Sequence, residues 1–235
     1  QLQAGAFEAY QLPTMVWALA RLECKPVRLL EQIESQALAQ LGSLNIQNLA
    51  NLLWGYGKLN YTPTLLLEPI AAQLLAPGVL DDAKPVEISD LAFALGTFGE
   101  SHCGDAIRDL ICALTARATP EARLEDFTSR QLTILLWAIA RLDAAEKGGS
   151  AGRTALAVSV IITAIRKGHE TTPLLAQDAR NLERSLLALG MDASWVQRSE
   201  MLNAWVDKAS GGSSKNTRDY SDEELRKAFE AIDTD

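Results

Sequence analysis

The sequence predicts an all-α protein: a right-handed α-solenoid of stacked helical hairpins, followed by an isolated amphipathic helix at the C-terminus. Two observations carry this prediction. A tryptophan-centred segment recurs along the chain at intervals typical of helical-hairpin repeats. Leu and Ala dominate the composition while β-branched and aromatic residues are sparse, which favours helices over sheets. With 235 residues and 48% hydrophobic content, the chain is long and apolar enough to bury a core.

The recurring segment has three clear copies and one degraded copy. The clear copies are residues 15–22, 52–59 and 135–142, each with a Trp followed by small residues and then Arg or Lys. The degraded copy is matched to residues 94–101, so that successive copies start 37, 42 and 41 residues apart. Together with a divergent last pair of helices, these copies predict four repeats and an atypical fifth that caps the stack.

The first two copies match over a whole hairpin when one is shifted by 37 residues. The match predicts a first helix that ends near Leu22 or Leu59, a short turn, and a second helix that begins at Pro26 or Pro63. Proline suits the first turn of a helix because its missing N–H would be unpaired there. Pro69 has no counterpart in the first copy, and we expect it to kink or shorten its helix.

Small residues follow each Trp and predict close approach of neighbouring helices, with the Trp and the leucines filling the groove between them. In the second copy they are Gly55 and Gly57, each of which costs a helix interior about 1 kcal/mol relative to Ala. Either close packing or a bound ligand would explain why they are tolerated.

The later copies are predicted from caps and apolar spacing. Ser89 or Asp90 is the expected N-cap of the third copy, whose second helix uses an apolar face ending before Pro120. Thr128 is the expected N-cap of the fourth copy. Further helices are predicted at residues 153–167, 174–189 and 194–208, with Gly190 as a helix stop.

Residues 47–59, which run from Gln47 through Trp54 and Lys58 to Leu59, resemble the octotricopeptide-type repeats of organellar RNA-binding proteins and the related repeats that precede RAP domains. Residues 131–142 are nearly as similar, and the resemblance covers about residues 6–145. It implies a helical-repeat fold that binds single-stranded RNA. No RAP domain follows in this sequence, so a nuclease-like role has no support.

A cation stands four residues after each Trp, and this position carries the RNA hypothesis. The three cations are Arg21, Lys58 and Arg141, and Glu100 interrupts the series. Stacked repeats would align them as a ladder that could follow phosphates. The alternative is that each cation complements its helix dipole and covers apolar surface with its stem. The net charge of −8 disfavours RNA and leaves a protein-binding surface as the main competitor.

The C-terminal part predicts a different chemistry. Residues 1–208 form the repeat domain, residues 209–220 read as a flexible linker, and residues 221–235 resemble the entering helix and first loop positions of a calmodulin-type EF-hand. Asp233 and Asp235 would then be the first and third calcium-loop residues. A complete loop also needs a Gly at position six and a Glu at position twelve, which the sequence does not contain. The alternative is an ordinary acidic amphipathic helix.

Enzymatic motifs are absent from the sequence, so we expect a non-catalytic binding protein. Neither of the two histidines has a partner at diagnostic spacing, and no P-loop, nucleophile elbow or zinc motif occurs. Three widely spaced cysteines predict reduced thiols in an intracellular protein, in an organelle (plastid or mitochondrion) or the cytoplasm, with Cys112 as a small core residue. No run of residues reaches membrane-span length, and we expect a monomer with no membrane partner.

Overall fold

The computed structural model describes residues 7–99, 105–118 and 126–143, together with Ser185. Within these residues the chain is helical and contains no strand, which confirms the all-α prediction. The chain divides into two compact units, Gln1–Ala118 and Thr119–Asp235. The predictions for the second helix of the fourth copy, the last helix pair, the linker, Asp233 and Asp235 fall outside the described residues.

The described part of the first unit consists of three helical hairpins, and that of the second unit contains one longer helix. The helices are α1 (Gln11–Arg21), α2 (Val27–Ala39), α3 (Ile46–Lys58), α4 (Leu67–Leu74), α5 (Pro85–Phe98), α6 (Asp105–Ala118) and α7 (Ser129–Asp143). We call α1, α3, α5 and α7 the first helices, and α2, α4 and α6 the second helices. A short 3-10 turn, Leu41–Ser43, links α2 to α3.

The four first helices share the same N-terminal hydrogen bond. A side-chain oxygen accepts the backbone N–H of the residue three positions earlier, from Glu8 to Gln11 (2.8 Å), Asn45 to Asn48 (3.4 Å), Lys84 to Glu87 (2.8 Å) and Thr128 to Gln131 (2.8 Å). This is the side-chain half of a capping box, which satisfies a backbone donor at the helix start. The predicted N-cap Thr128 is confirmed, since its hydroxyl accepts the Gln131 N–H at 3.3 Å.

This shared cap corrects the alignment of the third copy. The accepting residue lies six positions before Trp17, Trp54 and Trp137, and six positions after Glu87 comes Phe93. The degraded copy was therefore matched three residues too late. The aromatic positions are spaced by 37, 39 and 44 residues. The predicted N-caps Ser89 and Asp90 are also wrong, because α5 starts at Pro85 and both residues lie inside it.

The C-terminal ends of α1, α3 and α5 agree with the corrected alignment. Glu23, Asn60 and Gly99 each lie six residues after the aromatic position of their helix and have positive φ values of 53°, 50° and 70°. The residue after Glu23 or Asn60 then donates its N–H back into the helix, from Cys24 to Leu19 and from Tyr61 to Tyr56, both at 3.0 Å. Such a left-handed residue stops a helix and turns the chain toward the second helix.

Proline affects the two earlier second helices in different ways. Pro26 directly precedes α2, as expected. After Pro63 the chain makes a turn, and α4 begins only at Leu67, so that Pro69 falls in its first helical turn. Because Pro69 has no N–H, the helical backbone hydrogen bonds cannot continue without a break from Pro63 onward. As a result α4 has 8 residues, whereas α2 has 13. The predicted shortening by Pro69 is confirmed.

The first helices of the first unit pack side by side, α1 against α3 and α3 against α5. Gly55 faces α1, where a Cβ would lie 2.8 Å from Val16 Cγ1 and 3.1 Å from the Val16 carbonyl carbon. Gly57 faces α5, where a Cβ would lie 3.3 Å from both Ala94 Cα and Phe93 Cε1. Close packing, one of the two predicted explanations, accounts for both glycines.

The second helices complete the hairpins. Contacts join α1 to α2, α5 to α6, and α4 to α6. The predicted apolar face of α6 is confirmed, with Ile107, Leu110, Ile111 and Leu114 all buried. Cys112, in contrast, is exposed on α6, so its prediction as a core residue is wrong; Cys24 is also exposed.

A buried carboxylate connects α2 to the turn that follows α3. Glu34 is 3% exposed and accepts the Tyr61 hydroxyl at 2.7 Å and the Leu65 N–H at 2.6 Å. The buried Tyr56 hydroxyl donates to the Leu30 carbonyl at 3.3 Å. Burial raises the pKa of Tyr56, and burial followed by the Glu34 hydrogen bond raises the pKa of Tyr61. These bonds hold adjacent hairpins in register.

Candidate nucleic-acid interface

One row of exposed or half-buried side chains runs along each first helix, and we call it the solvent stripe of that helix. In α3, seven of the nine residues from Leu49 to Gly57 are buried, and only Asn51 and Trp54 reach the surface. With Gln47 before them and Lys58 after them, they follow the spacing i, i+4, i+7, i+11 of a single helical face. The core therefore leaves α3 one face with which to contact a ligand.

The corrected alignment gives the other first helices the same stripe. Every member is exposed or half-buried. The stripes are Tyr10, Thr14, Trp17 and Arg21; Gln47, Asn51, Trp54 and Lys58; Val86, Asp90, Phe93 and Thr97; and Arg130, Ile134, Trp137 and Arg141. The third position is aromatic in all four stripes, and the fourth is a cation in three.

The predicted cations lie on the stripes and contact the aromatic rings. The Arg21 guanidinium carbon lies 5.7 Å from the centroid of Trp17, and that of Arg141 lies 5.7 Å from the centroid of Trp137. Lys58 instead reaches across to the next first helix, with its Nζ 5.9 Å from the centroid of Phe93. These are cation–π distances, and they keep the positive charges beside exposed ring surface.

The residue at the cation position of α5 is Thr97. Its hydroxyl donates to the Phe93 carbonyl at 2.8 Å. Glu100, which the sequence comparison placed in this series, belongs three positions further on and outside the described residues. A neutral residue, Thr97, thus interrupts the cation series on α5. The positive charge beside Phe93 comes from Lys58 instead.

Sequence reasoning missed the aromatic residues as surface features, because it assigned them to packing between helices. Trp17 is 43% exposed, and Trp54 and Trp137 are half-buried. It also assigned no binding role to the residues three positions before each ring, of which Asn51 is the example on α3. The i, i+4, i+7, i+11 spacing of the stripe residues can be seen in the sequence. Which side of each first helix faces solvent, however, depends on how the helices pack.

Charge on the described helices is unevenly distributed. The stripes carry four cations, Arg21, Lys58, Arg130 and Arg141, and one acid, Asp90. The second helices carry more acids than bases, the acids being Glu31, Glu34, Glu68, Asp105 and Asp109. The net charge of −8 therefore does not describe the solvent stripes, which carry more cations than acids. The overall negative charge is thus no objection to an anionic ligand at these stripes.

Metal and membrane features are absent from the part of the chain that the structure describes. Residues 7–99, 105–118 and 126–143 contain no group of three or more metal-ligating side chains. No helix in the same residues has the length and apolar character needed to cross a membrane. The calcium candidates Asp233 and Asp235 lie beyond them, so their prediction is not tested.

Comparisons with protein-family models, with curated proteins and with solved structures gave no match to this chain.

Proposed function

We propose that this protein is a non-catalytic scaffold that binds single-stranded RNA along the solvent stripes of its first helices. The observation that carries the proposal is an aromatic ring at the third position of all four stripes, followed four residues later by a cation on α1, α3 and α7. On α1 and α3 a polar side chain, Thr14 or Asn51, precedes the ring by three residues. In this proposal the hairpins continue as a right-handed α-solenoid, which would align the stripes as columns.

Each stripe position fits one part of a nucleotide. An exposed ring stacks an unpaired base, a contact worth about 1–3 kcal/mol per base. Arg and Lys attract the phosphates, and the guanidinium plane also stacks on bases. A polar side chain three residues from the ring lies on the same helical face, within reach of a stacked base's edge. Repeat proteins that assign one base to each helical repeat use two or three side chains in this way.

The direct test is the affinity of the full chain for labelled single-stranded RNA. We expect Arg21, Lys58 and Arg141 changed together to Ala to weaken binding at least tenfold, because three charges beside the RNA are lost. Arg28→Ala is the matched control, since Arg28 is an exposed cation on α2 and lies off every stripe. Equal losses for the triple variant and the control would reject the stripes as the interface.

The alternative is that the protein binds a protein ligand instead of RNA. Calcium binding by the C-terminal module, residues 221–235, would then be linked to that interaction. The exposed apolar residues Leu22, Val27 and Leu65, which lie off the stripes, are the observation that favours it. If the full chain binds no RNA but retains protein partners after nuclease treatment, this alternative replaces the RNA proposal.

The calcium proposal rests on the sequence of residues 221–235. Asp233 and Asp235 would supply the first carboxylates of an EF-hand loop, whose complete form surrounds calcium with six to eight oxygens. Calcium titration of the protein is the test. Asp233→Asn with Asp235→Asn should weaken binding at least tenfold, and a protein with no site tighter than millimolar would exclude an EF-hand.

A further inference from the structure

We propose that two copies of this chain associate through the outer side of the first hairpin, with α1 of one copy packed against α1 of the other. We call this surface the edge face, and its members are Met15, Ala18, Leu22, Pro26 and Leu29. The association is independent of the proposed RNA binding, and it replaces the monomer that the sequence predicted.

The edge face is less buried than the same positions of the second hairpin. All five of its residues are exposed or half-buried. A shift of 37 residues leads to counterparts that are all buried, namely Leu52, Gly55, Leu59, Pro63 and Leu66. The contrast is largest for the two leucines that directly follow a first helix, since Leu22 is 76% exposed and Leu59 is 7% exposed. The two hairpins therefore present similar surfaces, of which the second is covered.

The first hairpin is what covers the counterparts in the second. Gly55 faces α1, where Val16 is its nearest neighbour. The turn after α1 also contacts the turn after α3, since Lys25 Nζ donates to the Asn60 carbonyl at 2.6 Å. The edge face thus has the composition of a surface that packs against another hairpin, with a small residue where two helices approach and larger apolar residues around it.

The order of residues along α1 suits a two-fold pairing. Met15, Ala18 and Leu22 follow the spacing i, i+3, i+7 of a single helical face. In an antiparallel pair of α1 helices with Ala18 near the two-fold axis, Met15 of each copy lies opposite Leu22 of the other. The small Ala18 side chains permit a close approach at the axis. The edge face is therefore complementary to itself, as an isologous dimer interface requires.

The charges around the edge face favour the same orientation. No member of the edge face is charged, so pairing two copies buries no ionised group there. Glu8 precedes α1, whereas Arg21 and Lys25 outnumber Glu23 near its C-terminal end. Antiparallel helices bring the acidic end of one copy beside the basic end of the other and also oppose the two helix dipoles. Apolar burial then supplies the affinity, and charge supplies the orientation.

Sedimentation equilibrium of the full chain over a range of protein concentrations tests the proposal. We expect the native chain to dimerise reversibly. Leu22→Glu should weaken the dimer at least about tenfold, because each copy would bury a carboxylate against Met15 of the other. Ala18→Glu should weaken it as much, because two carboxylates would meet at the axis. Val86→Glu is the control, since it makes the same kind of change at a side chain that is 48% exposed on α5 and should leave association unchanged.

Helical circular dichroism and thermal melting of each variant check that the fold is retained. A native chain that remains monomeric at every concentration would overturn the proposal. A dimer that persists in either edge-face variant would also overturn it, and so would one that Val86→Glu weakens equally, because association would then use another surface. RNA is absent from these measurements, so their failure would leave the proposed RNA binding standing.

Discussion

The conformations of single residues set how closely the hairpins of the first unit approach. Gly55 lies where α3 meets α1, and Gly57 lies where α3 meets α5. Glu23 and Asn60 adopt the left-handed conformation that ends a first helix without using glycine. The sign of the change in stability on substitution at each of these positions therefore does not follow from helix propensity alone.

Gly55→Ala should destabilise the protein by about 1–3 kcal/mol, the usual range for overpacking a close contact. Helix propensity alone favours Ala by about 1 kcal/mol, but the new methyl would lie 2.8 Å from Val16 Cγ1 and 3.2 Å from the Val16 carbonyl oxygen. The measurement is the free energy of unfolding in urea. Gly42→Ala is the control, because nothing lies within 4 Å of the added methyl there. A stabilised Gly55→Ala variant would contradict the close approach of α1 and α3.

Glu23→Gly should stabilise the protein by about 1 kcal/mol, because a left-handed residue with a Cβ costs that much. Glu23→Ala separates the backbone effect from the charge, since it removes the carboxylate but keeps the Cβ, and it should give no comparable gain. Asn60→Gly should gain less, because Asn tolerates positive φ better than Glu. Thermal melting would detect these differences. Equal gains for the Gly and Ala variants of Glu23 would assign the effect to charge instead.

At the scale of elements, the buried hydrogen bonds of Glu34 join α2 to the turn before α4. Tyr61→Phe removes one of its two donors and should cost about 1–3 kcal/mol, since a buried carboxylate loses a partner. Glu34→Gln with Tyr61→Phe completes a double-mutant cycle, and a coupling energy near zero would show that the contact does not contribute to stability.

The same contact predicts a loss of stability at high pH. The folded state raises the pKa of Tyr61 above its ordinary value of 10.0, so folding favours the protonated hydroxyl. This contribution is complete below pH 10 and is lost as the pH rises toward the folded-state pKa. Tyr61→Phe should lessen the decline of stability above pH 10, and Tyr56, whose pKa burial also raises, should contribute to the decline that remains. Unfolding free energies measured from pH 8 upward test this; an unchanged slope would contradict it.

The accuracy of the sequence predictions varied with the kind of physical signal. The helical class, the Thr128 cap and the buried face of α6 followed from local periodicity and capping, which a single segment contains. The third copy was misaligned because it has Phe93 in place of Trp and a glycine pattern that suggested another match. Glu87, six residues before Phe93, was the local signal that would have corrected it. The exposed position of the aromatic rings could not be predicted, because it depends on which faces neighbouring helices cover.

At the scale of the whole molecule, the unequal charge distribution makes RNA binding compatible with an acidic chain. The logarithm of the binding constant should fall linearly with the logarithm of salt concentration, with a slope of about −0.7 per phosphate neutralised. Changing Arg21, Lys58 and Arg141 together to Ala should reduce the size of this slope by about 2 if each cation contacts one phosphate. Arg28→Ala should leave it unchanged. A slope that is the same in all three proteins would place the phosphates elsewhere.

Photochemical cross-linking would show whether the solvent stripes of the first helices contact RNA. Single-stranded RNA carrying photoreactive bases would be cross-linked to the full chain, and the modified peptides identified by mass spectrometry. We expect cross-links on the first helices, with Trp54 among the modified residues and with a loss of that cross-link in Trp54→Leu. Cross-links confined to the second helices α2, α4 and α6, or none at all, would contradict it.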